Sequence, residues 1–121
     1  MSTFAVKAIS KNKIRLLAAK RFNSADSVDE VTDIIFSGDK VLIKEIGGRP
    51  AKPSVVSPFY DSPQFARDNL EKGLAAGDYR DASIVCKVAG RKGAKKVTRV
   101  INWSDGMSYS ESLDAAGLMP L

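Results

Sequence analysis

The sequence predicts a single α+β domain, with an antiparallel sheet that contains two basic hairpins and is covered on one face by about three helices. Three observations support this class. The length of 121 residues fits one domain with a modest core. Short runs rich in β-branched residues alternate with polar turns. Three further segments each begin with a serine in a capping context and end at a glycine. A sheet with helices on one face is a stable architecture at this size.

The N-terminal third predicts a hairpin, a helix and a strand. Residues 4–22 contain two apolar runs on either side of the polar stretch SKNK, which predicts a β-hairpin. Ser27 then precedes Glu30 by three residues, the spacing of a capping box in which each side chain binds the backbone of the other residue. Apolar residues at helical spacing extend this helix over about 27–37. A strand is predicted at 40–46.

The remainder predicts one more hairpin and two more helices. Residues 49–63 hold four of the five prolines, which favours an irregular segment with a short strand at 54–57. Ser62 followed by Pro63 predicts a helix over about 63–76, because proline suits the first helical position. Residues 84–103 predict the second hairpin. The stretch SYSE repeats the capping-box spacing, with Ser108 as the cap of a helix over about 108–116.

These elements suggest an internal repeat within the single domain 1–121. Strand, basic turn, strand and capped helix occur in the order ββα at 4–38 and again at 84–117, joined by the proline-rich loop and helix at 49–77. Few residues are identical between the halves, so a true duplication is left open.

The composition argues against an enzyme. The chain has no histidine and one cysteine, which excludes Ser-His-Asp and Cys-His catalysis and zinc sites built from histidine. No pair of carboxylates stands out, so we expect no catalytic residues, no cofactor and no metal. Cys86 is expected to be a buried strand residue. A lone cysteine, no secretory signal and no long apolar run predict a cytoplasmic protein without membrane contact.

Both predicted hairpins are basic and lack acidic residues. Residues 4–22 and 84–103 each contain six basic side chains, whereas an even distribution of the 14 acids would place about four or five in these 39 positions. We therefore expect a common basic surface that binds an anion. The alternative is that lysine and arginine only keep edge strands soluble. The candidate anion-binding residues are Arg91, Lys92, Lys95, Lys96, Arg99, Lys11, Lys13 and Arg15.

The stretch GRKG, residues 90–93, resembles the G-x-x-G loop with which KH domains bind RNA backbone. KH topology requires a helix before the loop, but the preceding SIVCKV favours a strand, and Lys96 stands where the pattern has an apolar residue. A Walker A loop does not fit the glycine spacing. We predict a tight turn in which Gly90 and Gly93 let the backbone approach phosphates. Trp103 and Tyr60 are candidates for stacking on bases.

The stretches VKAISKNK, SVDEVTDIIFSGDKV, GRPAKPSVV and DNLEKGL resemble a family of short phage and bacterial proteins known as a domain of unknown function. The resemblance covers roughly residues 4–74. It implies an α+β fold and a phage or prophage setting, without implying an activity. The prolines before DNL and the whole of 78–121 depart from that pattern.

These features predict a small non-enzymatic binding module, and the resemblance to phage proteins is compatible with a phage-encoded inhibitor of host machinery. Its basic face would hold a phosphate-bearing ligand, which could be nucleic acid, a nucleoprotein or a signalling nucleotide. The alternative is a protein-interaction or assembly protein that binds an acidic partner through the same face. A homo-oligomer is compatible with either hypothesis.

Overall fold

A computed structural model describes residues 2–20, 25–37 and 52–121, and it confirms the α+β class. The elements are β1 Thr3–Ser10, α1 Lys11–Ala19, α2 Ala25–Ser37, β2 Ser54–Val55, α3 Pro63–Ala75, β3 Tyr79–Lys92, β4 Lys95–Asn102 and α4 Tyr109–Ala116. Within the described ranges the strands form one antiparallel sheet in the order β2-β1-β3-β4. No helix in these ranges has the length and apolar character of a membrane span.

The two central strands, β1 and β3, run antiparallel, with Thr3 opposite Lys87 at one end and Ser10 opposite Tyr79 at the other. The register shifts between Lys7 and Ile9. Asp81, on the facing stretch of β3, has φ +53°, an uncommon value for a residue other than glycine. Between the pairs Lys7–Ser83 and Ile9–Arg80, β3 has one residue more than β1, which is a β-bulge and increases the local twist.

The second predicted hairpin is confirmed. β3 and β4 pair continuously from Val85 opposite Asn102 to Lys92 opposite Lys95. Because residues 84–88 lie in a strand, the helix that a KH domain needs before its G-x-x-G loop is not present. The predicted strand at 54–57 is also found, shortened to β2.

The first predicted hairpin is wrong, because its second half is helix α1. Ile14 and Ala18 are fully buried and Leu17 packs beside them, a helical spacing that the sequence already contained. Lysine, arginine, leucine and alanine are also good helix formers. The region therefore has the order strand, helix, helix, and the predicted ββα unit at 4–38 is not formed.

The predicted N-cap serines are confirmed for α3 and α4 but not for α2. Ser62 and Ser108 are the N-caps of α3 and α4, and Ser108 forms the full capping box with Glu111. Helix α2 begins at Ala25, so Ser27 lies inside the helix and is not its cap. The predicted strand at 40–46 lies outside the described residues.

The described core has two apolar clusters, each associated with a pair of helices. The first joins α3, α4 and the middle of the sheet, and it contains Phe4, Ala66, Cys86, Val88, Leu113 and Leu118. The second joins α1, α2 and the end of β1 through Ile9, Ile14, Ala18, Val28 and Ile35. Cys86 is buried, as predicted.

Candidate functional site

The free end of the β3–β4 hairpin brings five of the predicted residues together. Arg91 lies opposite Lys96, and Lys92 lies opposite Lys95. Arg99 lies further along β4, opposite the buried Val88. All five basic side chains are exposed. We call them the hairpin cluster: Arg91, Lys92, Lys95, Lys96 and Arg99.

The charge of the hairpin cluster is not neutralised by any described acidic residue. The ion pairs found among the described residues involve Lys11, Arg15 and Arg67. Arg91 donates from Nε to the carbonyl oxygen of Pro120 at 3.2 Å, a neutral acceptor that leaves the guanidinium charge uncompensated. The cluster therefore presents up to five positive charges to solvent.

The pleat of the ribbon divides the hairpin cluster between two faces. We call the β3–β4 hairpin the ribbon. Side chains alternate between its two faces, so Lys92, Lys95 and Arg99 share the face of the buried Val88, on which α4 packs. Arg91 and Lys96 belong to the opposite face. The tip is therefore basic on both sides.

The two glycines of GRKG have different structural roles. A Cβ on Gly90 would lie 2.7 Å from the carbonyl oxygen of Met119 and 2.9 Å from both Leu113 Cδ2 and Leu118 Cβ. Gly90 thus permits α4 and the C-terminal segment, residues 118–121, to pack on β3. The predicted close approach of phosphate to this glycine is wrong, because protein atoms already occupy that space. Gly93 has φ +66° in the two-residue turn, a pattern that fits a type II′ hairpin turn.

The other three predicted basic residues, Lys11, Lys13 and Arg15, lie on α1, away from the hairpin cluster. Helix α1 starts beside Asp78, where the Lys11 amide donates to the Asp78 carbonyl at 2.8 Å. The cluster lies at the other end of β3, a strand of 14 residues, or roughly 40 Å along the chain. The prediction of one shared basic surface is therefore wrong.

Two of these α1 residues are also paired with carboxylates of α2. Lys11 Nζ lies 2.7 Å from Asp33 Oδ1, and Arg15 Nε lies 2.9 Å from Asp29 Oδ1. The hydrogen bond to Asp33 raises the pKa of Lys11 above its ordinary value. Both side chains therefore face carboxylates of α2 rather than an external anion.

An open cleft of about 500 Å³ lies beside these ion pairs. Its charged lining comprises Lys11, Arg15 and three carboxylates, which makes it unsuited to a phosphate. Within residues 2–20, 25–37 and 52–121, no group of three or more carboxylates or thiols is arranged to hold a metal ion.

The predicted stacking residues Trp103 and Tyr60 lie in the supporting structure. Trp103 follows β4 at the end opposite the hairpin cluster, and its ring packs edge-on against Phe4 with centroids 4.9 Å apart. Tyr60 pairs with Phe4 through two backbone hydrogen bonds, and its hydroxyl accepts a bond from Asn69. The structure therefore does not bring either ring next to the cluster.

Lys87 extends the basic surface, although it was not among the predicted site residues. It is exposed on the same face as Arg91, four positions earlier in β3, and it lies opposite Val100. Its Nζ is 5.3 Å from the centroid of the Phe59 ring, a cation–π arrangement. The even spacing of Lys87 and Arg91 was the sequence signal for this common face.

Comparisons of the chain with protein-family models, curated proteins and solved structures gave no significant match.

Proposed function

We propose that this protein binds the phosphate backbone of nucleic acid and that the hairpin cluster is the contact surface. The observation that carries the proposal is the group of five exposed, uncompensated basic side chains on one two-stranded ribbon. Contacts to phosphates supply much of the affinity of nucleic-acid-binding proteins.

Protection of an edge strand explains only part of the hairpin cluster. Lys95, Lys96 and Arg99 lie on β4, an edge of the sheet, where lysine and arginine discourage pairing with other chains. Arg91 and Lys92 lie on β3, which pairs with β4 on one side. On its other side, Arg91 exchanges two backbone hydrogen bonds of 2.8 Å with Met119. Arg91 is therefore flanked on both sides and does not protect a free edge, so its exposed charge needs another reason, which an anionic partner supplies.

The shape of the surface favours a polymer over a nucleotide. Small-ligand sites are concave and bury most of the ligand. All six residues from Arg91 to Lys96 are exposed at the end of a ribbon. The cleft beside α1 lies elsewhere and carries three carboxylates. An acidic protein would be drawn to the same charges, so an acidic polypeptide serves as the competing ligand in the test.

The test compares two variants that lower the net charge from +5 to +1. The first neutralises the hairpin cluster while keeping Arg91, whose side chain also bonds to Pro120: Lys92→Gln, Lys95→Gln, Lys96→Gln and Arg99→Gln. The matched control neutralises four exposed lysines elsewhere: Lys13→Gln, Lys20→Gln, Lys52→Gln and Lys72→Gln. Binding to fluorescent DNA and to an acidic polypeptide such as poly-glutamate is titrated against salt by fluorescence anisotropy.

We expect the logarithm of the parent's association constant for duplex DNA to fall with the logarithm of salt concentration at a slope of about −4.5, from five contacts at about −0.9 each. The hairpin variant should retain a slope near −0.9, whereas the control should keep a slope close to the parent's. Equal losses in both variants would show that only net charge matters and would refute the assigned site. Binding of the acidic polypeptide alone would establish the protein-partner alternative.

A further inference from the structure

We infer that the nucleic acid is B-form duplex DNA and that the tip of the β3–β4 ribbon enters its major groove. This inference rests on the proposed function and specifies both the class of nucleic acid and the geometry of the contact. It follows from how the hairpin cluster is distributed around the ribbon.

A flat anionic surface could contact only one side of this ribbon. The cross-strand pair Arg91 and Lys96 belongs to one face, and the next pair, Lys92 and Lys95, belongs to the other. All four side chains are exposed. A groove has a phosphate backbone along each wall, so a ribbon inside it brings both pairs close to phosphates at once.

The dimensions of the exposed tip match this mode of entry. Beyond the backbone bonds between Arg91 and Met119, the free tip has two residues on each strand, Lys92–Gly93 and Ala94–Lys95, or about 7 Å at the usual strand rise. Arg91 and Lys96 lie at the base of this tip, which places them at the mouth of the groove beside the phosphates. The major groove of B-form DNA is about 8.5 Å deep and about 12 Å wide, and it admits a two-stranded β-ribbon. The residues of the turn, glycine and alanine, are small, so the leading end of the ribbon is narrow.

The composition of the ribbon argues against the other nucleic acids. Proteins that bind single strands place aromatic rings under successive bases. Positions 80–102 contain no phenylalanine, tyrosine or tryptophan, and two rings that contact the ribbon, Phe59 at Lys87 and Tyr109 at Ala89, lie below the tip rather than in a row along it. The major groove of an RNA duplex is deep and narrow and does not admit side chains for reading. A duplex of DNA is the form whose wide groove this ribbon fits.

The experiment uses two double variants as matched probes of the two faces: Arg91→Gln with Lys96→Gln, and Lys92→Gln with Lys95→Gln. Binding is measured with a mixed-sequence DNA duplex, the corresponding RNA duplex and one DNA strand. A second DNA duplex carries bulky substituents on pyrimidine C5, which project into the major groove. Because Arg91→Gln also removes the bond to Pro120, a charge-preserving variant, Arg91→Lys with Lys96→Arg, serves as its control.

We expect both double variants to reduce the magnitude of the salt slope on DNA from about 4.5 to about 2.7, because each removes two contacts. The charge-preserving variant should bind like the parent, and the C5-substituted duplex, the RNA duplex and the single strand should bind more weakly than the unmodified duplex. Dependence on one face only, or equal binding of the single strand or the C5-substituted duplex, would overturn the groove model while leaving phosphate binding intact. Failure to bind any nucleic acid would overturn both proposals.

Discussion

Gly90→Ala tests the assignment of the first glycine of GRKG to packing. The new Cβ would lie 2.7 Å from the Met119 carbonyl oxygen and 2.9 Å from Leu113 and Leu118. The first of these atoms belongs to the backbone, so the C-terminal segment must move as a unit. Overpacking of this kind costs about 1–3 kcal/mol.

The corresponding change in melting temperature follows from the size of the chain. An unfolding entropy of about 2.1 cal/mol/K per residue gives about 0.25 kcal/mol/K for 121 residues. The variant should therefore melt about 4–12 °C below the parent, as measured by circular dichroism. The two backbone bonds between Arg91 and Met119 should also weaken, which would accelerate hydrogen exchange of both amides.

The sign of the change is diagnostic. Where space allows, replacing glycine by alanine stabilises a protein by about 0.4–1 kcal/mol, because the unfolded chain loses freedom. An unchanged or higher melting temperature would refute the packing assignment. A loss of DNA affinity in a fully stable variant would instead restore the phosphate-approach role. Gly93→Ala is the control. A Cβ at Gly93 would meet open space, and the positive φ there is unfavourable for alanine, but the site lies outside the Arg91–Met119 contact. This variant therefore separates backbone strain from overpacking.

Two further predictions concern stability. Ser108→Ala should lower the free energy of unfolding by about 1 kcal/mol, because the capping box with Glu111 is lost. This corresponds to a melting temperature about 4 °C lower. Ser110→Ala, in the same turn, is the control and should melt like the parent. Burial raises the pKa of the Cys86 thiol, so the unfolded chain releases this proton first as the pH rises past about 9. Stability should therefore fall above that pH, and a Cys86→Ala variant should show a shallower decline in chemical denaturation; an equal decline in both would contradict this assignment.

Sequence reasoning succeeded where the determining interactions are local. The starts of α3 and α4 depend on Ser62, Pro63 and Ser108 together with residues one to three positions away. The β3–β4 hairpin is likewise fixed by neighbouring strands and a two-residue turn at Gly93. The hairpin cluster was predicted because its members are close in sequence as well as in space.

The same reasoning failed at α1, because its helical conformation depends on packing against α2, a separate segment of the chain. The polar stretch SKNK was interpreted as a turn, but Ser10 instead precedes a helix whose Ile14 and Ala18 pack against α2. The i,i+4 spacing of Lys11 and Arg15 matches the i,i+4 spacing of Asp29 and Asp33. This match could have indicated a helix pair, but it is visible only when both segments are considered together. When the first segment is considered alone, Lys11 and Arg15 look like part of an unpaired basic surface.

The position of β1 between β2 and β3 has a consequence for how the protein folds. Residues of β1 pair with residues of β3 that lie 69 to 84 positions later in the chain, whereas β3 and β4 are joined by two residues. Contacts between distant residues form slowly, because the entropy of closing a long loop is lost before the contacts form. We therefore expect the β3–β4 pairing to form before β1 pairs with β3. A two-stranded hairpin alone is marginally stable, so an anion bound to the tip would stabilise the ribbon before β1 pairs with it.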